Sequence, residues 1–231
     1  MTYLAAIGLW AGMGVTRAHA DGLFGPVLPY TAPSDSPFSS MSFSSFKLIK
    51  MTDLLDGTFS VPGVNAVGDG LAVIGPGSLV DSVDGGNLGH SLFADPGADG
   101  ITFTFDAAVL GSLPTAAGIA WTDGDFVIHF SAIDANGNPI GPTINDTSGC
   151  DFSTCGDGKP KNYRFFGAID SIGIKSITIS NDFGGIEVDH LQFGVLAPNG
   201  TVPEPSTLLL LGTGLVAVAG RLKRKGLLNR S

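Results

Sequence analysis

Glu187 and Asp189 stand two residues apart in Ile186-Glu-Val-Asp-His-Leu-Gln-Phe193, a run whose start alternates apolar and polar residues. In a strand that spacing sends both carboxylates to one face. There they could share a structural cation with a neighbouring loop, the plainer reading being two solvent-facing acids. Asp134-Ala-Asn-Gly-Asn138 sets Asp134, Asn136 and Asn138 at alternate positions around Gly137, as calcium loops do. An EF-hand loop starting at Asp134 would need Gly where Pro139 stands and Glu where Asn145 stands. An Asn-Gly hairpin turn accounts for the same residues without a metal. A structural calcium is therefore the one cofactor the residues suggest, and none is required.

Cys150 and Cys155 are the two cysteines of the chain. Closing them into one short ring would contribute about 2 kcal/mol by loop entropy. Zinc would need four ligands, and two thiolates without nearby histidine supply half of them. Trp121 and Tyr163 could stack on sugar rings, although a strand Trp is ordinarily core. Catalytic patterns are weak. No Gly-x-Ser-x-Gly elbow surrounds Ser91 beside His90. Asp123 and Asp125 flank Gly124 with the spacing of a turn, and a glycosidase needs two acids facing across a cleft. The expectation is a non-enzyme, with a secreted carbohydrate-active enzyme as the alternative.

The elements that must position these residues are short and turn-bounded. The chain has 34 Gly and 14 Pro in 231 residues, with charged residues at only 14% and hydrophobic ones at 43%. That composition fits a loop-rich β protein and excludes a disordered polyelectrolyte. Strand-like runs occur at 101–105, 126–133, 172–174, 176–180 and 186–193, with Asp-Gly or Asn-Gly dipeptides between and beside them. No long helical period occurs between 46 and 196. The expected fold is all-β: an antiparallel β-sandwich, jelly-roll or galactose-binding-like, over 46–196. A Ser/Pro-rich lead at 21–45 reads as a linker or an irregular first strand, and 197–202 as a linker.

Charge is unevenly placed. Residues 21–200 hold six basic and 20 acidic side chains, net −14, whereas the last eleven residues carry five basic ones and no acid. An acidic body repels phosphate backbones, so nucleic acid is not an expected partner. The two ends read as targeting segments. Residues 4–15 are uncharged and mostly apolar, and Ala18-His19-Ala20 supplies the small-x-small pattern of a signal-peptidase site, giving a signal helix over 1–20. Arg17 lies beside that site while no Lys or Arg precedes the apolar run, so a start upstream of Met1 would restore the usual charge. Export implies an oxidising compartment, in which Cys150 and Cys155 would pair.

At the other end, Val202-Pro203-Glu204-Pro205-Ser206-Thr207 leads into thirteen uncharged residues, 208–220, and then Arg221-Leu222-Lys223-Arg224-Lys225. The two prolines hold an extended, reachable segment, and Ser206 or Thr207 can cap a helix. Thirteen helical residues span about 20 Å; counting 206–222 with snorkelling basic side chains brings a transmembrane helix close to the roughly 30 Å hydrocarbon core. The basic flank Arg221, Lys223, Arg224 and Lys225 should stay cytoplasmic, leaving the body outside the inner membrane.

In order and position, Pro203-Glu204-Pro205, the Leu/Gly-rich stretch and the basic cluster resemble the PEP-CTERM sorting tail of exported bacterial proteins, here over 203–231. The resemblance implies export through the Sec machinery, recognition by an exosortase, transient anchoring in the inner membrane, and delivery to the surface or exterior of a Gram-negative-type cell, often one making exopolysaccharide. Gly100-Ile-Thr-Phe-Thr-Phe-Asp106, Gly118-Ile-Ala-Trp-Thr-Asp-Gly124, Tyr163-Arg-Phe-Phe-Gly167 and Gly185-Ile-Glu-Val-Asp-His-Leu-Gln-Phe-Gly194 also look like a β domain found in such proteins. That likeness implies a lectin-like or galactose-binding-like sandwich and names no ligand.

Overall fold

The alternation at 101–105 is realised as a strand with Ile101, Phe103 and Phe105 buried and both threonines half-buried. The computed structural model describes residues 20–54, 57–77, 80–147 and 162–198. Among the described residues the compact unit His19–Ala197 contains ten strands. They are β1 Gly22–Val27, β2 Phe43–Ile49, β3 Val64–Val67, β4 Ala72–Ile74, β5 Ser91–Ala94, β6 Ile101–Phe105, β7 Ala116–Asp134, β8 Ile144–Asp146, β9 Arg164–Ile169 and β10 Ile174–Leu196. The fold is all-β and antiparallel. An α-helical turn, Ala107–Leu110, starts where Asp106 accepts from the Ala108 amide at 2.8 Å and stops at Gly111 in the left-handed region. Among the described residues no helix is long and apolar enough to cross a membrane, and 206–222 lies outside them.

Two long strands organise the sheet. The first part of β10 pairs with β6, the later part with β5 and β2, and β7 runs antiparallel to it along both. β9 lies on the other side of β7, followed by β1. The sequence runs at 172–174, 176–180 and 186–193 therefore belong to one strand, apart from the first two residues. Bulges absorb the irregularity between the later two runs, and the ladder resumes at Ile186. Asp123-Gly124 likewise lies within β7 and is no turn. Gly124 takes φ 147°, and a Cβ there would stand 3.0 Å from the Trp121 indole nitrogen and 3.1 Å from Asn181, so a bulge glycine is required.

The sheet is covered on both faces. Every residue of β9 is buried, which a half-exposed alternating strand cannot be. One face carries the main core, including Phe103, Ile119, Trp121, Phe130, Phe166 and Val188. The other holds Tyr30, Phe38, Ala116, Ala120, Tyr163 and Phe165. Tyr30 and Phe38 come from the Ser/Pro-rich lead, which is folded: after β1, two 3-10 turns at Pro33–Asp35 and Pro37–Ser40 set Phe38 edge-on to Phe165 at 5.6 Å. The linker reading of 21–45 is thus replaced by a strand and an aromatic cover. Gly118 lets that cover close, because a Cβ there would come within 2.5 Å of the Phe165 ring.

Candidate functional site

Late in β10, Asp189 pairs with Ala120 and Gln192 with Gly118, leaving two residues opposite Ile119. His190 occupies this bulge with φ 51°, a left-handed conformation unusual for a non-glycine. Glu187, Asp189, His190 and Gln192 are all buried. The solvent-facing reading of Glu187 and Asp189 is therefore corrected: a loop over 80–91 lies across them and supplies donors.

Asp189 is a hub. Its Oδ1 accepts from the Met51 amide at 3.0 Å and the His190 amide at 2.7 Å. Its Oδ2 accepts from the Ser82 hydroxyl at 2.9 Å and the Val83 amide at 3.1 Å. Burial raises its pKa, against the pull of His190 and these donors. Glu187 Oε2 accepts from the Asp81 amide at 2.8 Å and the Ser91 hydroxyl at 2.6 Å. Burial pushes the Glu187 carboxyl up to about 8, with the charges of Asp123 and Asp81 adding to it.

A relay leads from this hub toward solvent. Gln192 Nε2 donates to the Tyr30 hydroxyl at 2.7 Å, and that hydroxyl lies 2.9 Å from His190 Nδ1. Burial first, then the Asp189 charge, raises the Tyr30 pKa far above its ordinary value, so the phenol keeps its proton and donates it to Nδ1. His190 Nε2 is then the hydrogen-bearing nitrogen and faces Asp84 Oδ2 at 3.0 Å. Lys50 closes the relay with a 3.0 Å contact to Asp84 Oδ1. Burial pushes the Asp84 carboxyl up, but the hydrogen bonds from His190 and Lys50 outweigh it and hold its pKa below the usual range.

Asp84, Asp189 and His190 each present a ligand atom within 4.8 Å of the others, a spacing that suits a metal ion. Their acceptors are already engaged: four donors converge on Asp189 and two on Asp84. This set is built as a hydrogen-bonded clamp between β10 and the 80–91 loop.

The remaining sequence candidates are dispersed. Asp134 Oδ1 accepts from the amides of Asn136 and Asn138, both at 2.8 Å, and the Asn138 side chain reaches Oδ2 at 3.3 Å. The Asn138 amide chiefly, then the other turn donors, depress the Asp134 pKa. Those donors occupy the carboxylate that a calcium would use, so the segment is the hairpin turn. Trp121 is fully buried, with the Arg164 guanidinium 5.4 Å from its ring and Arg164 in turn 3.2 Å from Asp146. Tyr163 is 1% exposed. Neither ring can stack on a sugar, which overturns that expectation. Ala20 is described and exposed; Ala18, Cys150, Cys155, Pro203, Glu204, Pro205, Arg221, Lys223, Arg224 and Lys225 lie outside the described residues.

Two aromatic rings that sequence reasoning passed over are exposed. Phe126 and Phe183 are 46% and 64% exposed, with ring centroids 5.4 Å apart. Each follows an aspartate, and Phe183 pairs in register with Asp125, so the Asp-Phe dipeptides at 125–126 and 182–183 were the available signal. On β7, His129 contacts Asn145 Oδ1 of β8 through Nδ1 at 2.7 Å and Asp182 Oδ1 of β10 through Nε2 at 2.8 Å.

The sequence model of the PEP-CTERM protein-sorting motif matches residues 201–225. The chain therefore carries that motif, which marks an exported protein with a C-terminal membrane-anchoring sorting signal and implies processing by an exosortase. No curated protein matches the chain. Among solved structures, the enzymatically active domain of tailspike protein 4 from bacteriophage CBA120 is similar at 15% identity and TM-score 0.27. That match covers 74% of this chain and 22% of the tailspike chain, so this chain spans about a fifth of its length.

Proposed function

We propose that the body is a non-catalytic, glycan-binding domain displayed at the cell surface or in the extracellular matrix after exosortase sorting. The paired rings of Phe126 and Phe183 carry this reading: two exposed aromatics on adjacent strands, which with β8 also carry the polar His129, Asn145 and Asp182, combine stacking area with hydrogen-bonding groups. The acidic body disfavours uronic-acid polymers, so the expected ligand is a neutral or amino-sugar polysaccharide such as an exopolysaccharide. The fold supports display. β10 is shared between β6 at one end and β5 and β2 at the other, and we read this as a jelly-roll-type sandwich. The buried carboxylates act as clamps beneath a loop, a structural role that suits a binding module.

Binding of the mature exported protein to an array of neutral, amino-sugar and uronic-acid glycans tests this. Phe183→Ala should weaken the captured neutral or amino-sugar ligand by about fivefold, the worth of roughly 1 kcal/mol of ring contact. Equal binding by the variant, or hydrolysis of the captured glycan, would overturn the reading. Replacing Pro203-Glu204-Pro205 by alanines should leave a full-length, membrane-retained species in an exosortase-bearing host. Normal trimming of that variant would leave a plain membrane anchor as the account of the tail.

A further inference from the structure

A cavity borders the main core where β10 ends. It measures about 210 Å³ and is lined by β2, by the last residues of β10 and by the 110–114 segment. Hydrogen bonds fix that segment: Pro114 accepts from the Ile174 amide at 2.7 Å, and the Thr115 amide donates to the Gly194 carbonyl at 2.9 Å. Phe193 meets the cavity from the core, 3% exposed and with its ring 5.1 Å from that of Phe105. Leu110, Pro114 and Val195 add apolar wall, and Ser45 and Ser112 are polar members of the lining. The charged member is Lys47, the register partner of Phe193, whose ammonium nitrogen lies 6.0 Å from the centre of the Phe193 ring.

No carboxylate lines this cavity among the described residues, although residues 21–200 hold 20 acidic side chains. Among the described residues Lys47 has no ion-pair partner either, whereas Lys50 and Arg164 face Asp84 and Asp146. The Phe193 ring attracts the ammonium through its quadrupole and leaves the full charge in place. Repulsion from distant acids is screened beyond about 8 Å at physiological salt, so the charge at contact governs what enters. Pockets for drug-sized ligands begin at about 300 Å³, and this one takes a smaller molecule. A sugar would set most of its hydroxyls against apolar walls without partners, whereas an acid with an apolar body needs polar contacts at one end only. We propose that the cavity binds one small organic acid, its carboxylate on Lys47 and its apolar body between Phe193 and the 110–114 segment. The site lies at the end of β10, away from Phe126 and Phe183, and its ligand is separate from the glycan assigned to those rings.

The test titrates the mature exported protein with benzoate, hexanoate and benzamide, the last an uncharged analogue of the first. Calorimetry and saturation-transfer NMR follow the binding. Benzoate or hexanoate should bind at one site with a millimolar dissociation constant, and benzamide about tenfold more weakly. Lys47→Gln, at an exposed position, should reduce the acids to the level of benzamide. Ser112→Phe fills the cavity from another exposed position and should abolish binding of all three. Phe183→Ala should leave acid binding unchanged, which keeps this outcome separate from the glycan reading. The proposal is overturned if neither acid binds saturably, if benzamide binds as tightly as benzoate, or if Lys47→Gln or Ser112→Phe responds as wild type does. Loss of acid binding in Phe183→Ala would overturn it as well.

Discussion

Asp134 and Asp189 do the same chemistry in two different places. Each is a carboxylate that accepts hydrogen bonds from backbone amides and a side chain. Asp134 takes its donors from Asn136 and Asn138, two and four residues on. Asp189, apart from the amide of the next residue, takes them from Met51, Ser82 and Val83, 106 to 138 residues away. The first closes a hairpin that its own sequence already favours. The second ties two distant segments to the last strand, and no short stretch of sequence can form it alone. The contrast separates an interaction that shapes a turn from one that completes a tertiary fold.

The sharpest way to break the comparison is Asp189→Asn. The amide would set a donor against donors in a sealed site, and about 3 kcal/mol of stability should be lost. The urea midpoint would measure it, and a change below 1 kcal/mol would remove Asp189 from its central role. Tyr30→Phe should rank next, at about 2 kcal/mol, because Gln192 loses its acceptor and His190 Nδ1 its donor. Asp134→Ala should shift the same midpoint less than either, with protection of amide hydrogens lost only around 134–140. Global loss of protection would erase the distinction between local and tertiary carboxylates. The smallest effect expected is a pH dependence at the exposed His129. The Asp182 hydrogen bond raises its pKa above 6.5, so the stabilisation is complete below that value in the folded protein and fades as pH rises through the raised one. Asp182→Asn should flatten this slope, and an unchanged slope would assign it elsewhere.

The same contrast explains what the sequence disclosed. Period-two runs at 101–105 and 126–133 and the Asn136-Gly137 turn were legible because backbone and near neighbours decide them. The sorting motif at 201–225 was legible because its signal is order along the chain. Gly124 misled, since glycine serves a bulge inside a long strand as well as a turn between two short ones. His190 had no local signature. Its role comes from Tyr30 and Asp84, 160 and 106 residues distant, and from a bulge visible only against β7. Burial of Tyr163 depended on the cover supplied by the lead, whose Ser/Pro composition resembles that of a linker.

The position of β10 in the chain has a consequence for export. It hydrogen-bonds to β2, β5, β6 and β7, and it is the final strand before the sorting motif. A chain threaded amino-terminus first thus delivers its central strand after nine others have emerged. β2, β5, β6 and β7 cannot complete their ladders until the last strand arrives, because their shared partner is still behind the membrane. The body is held open during passage by its own strand order, and it can close only as the sorting tail reaches the bilayer.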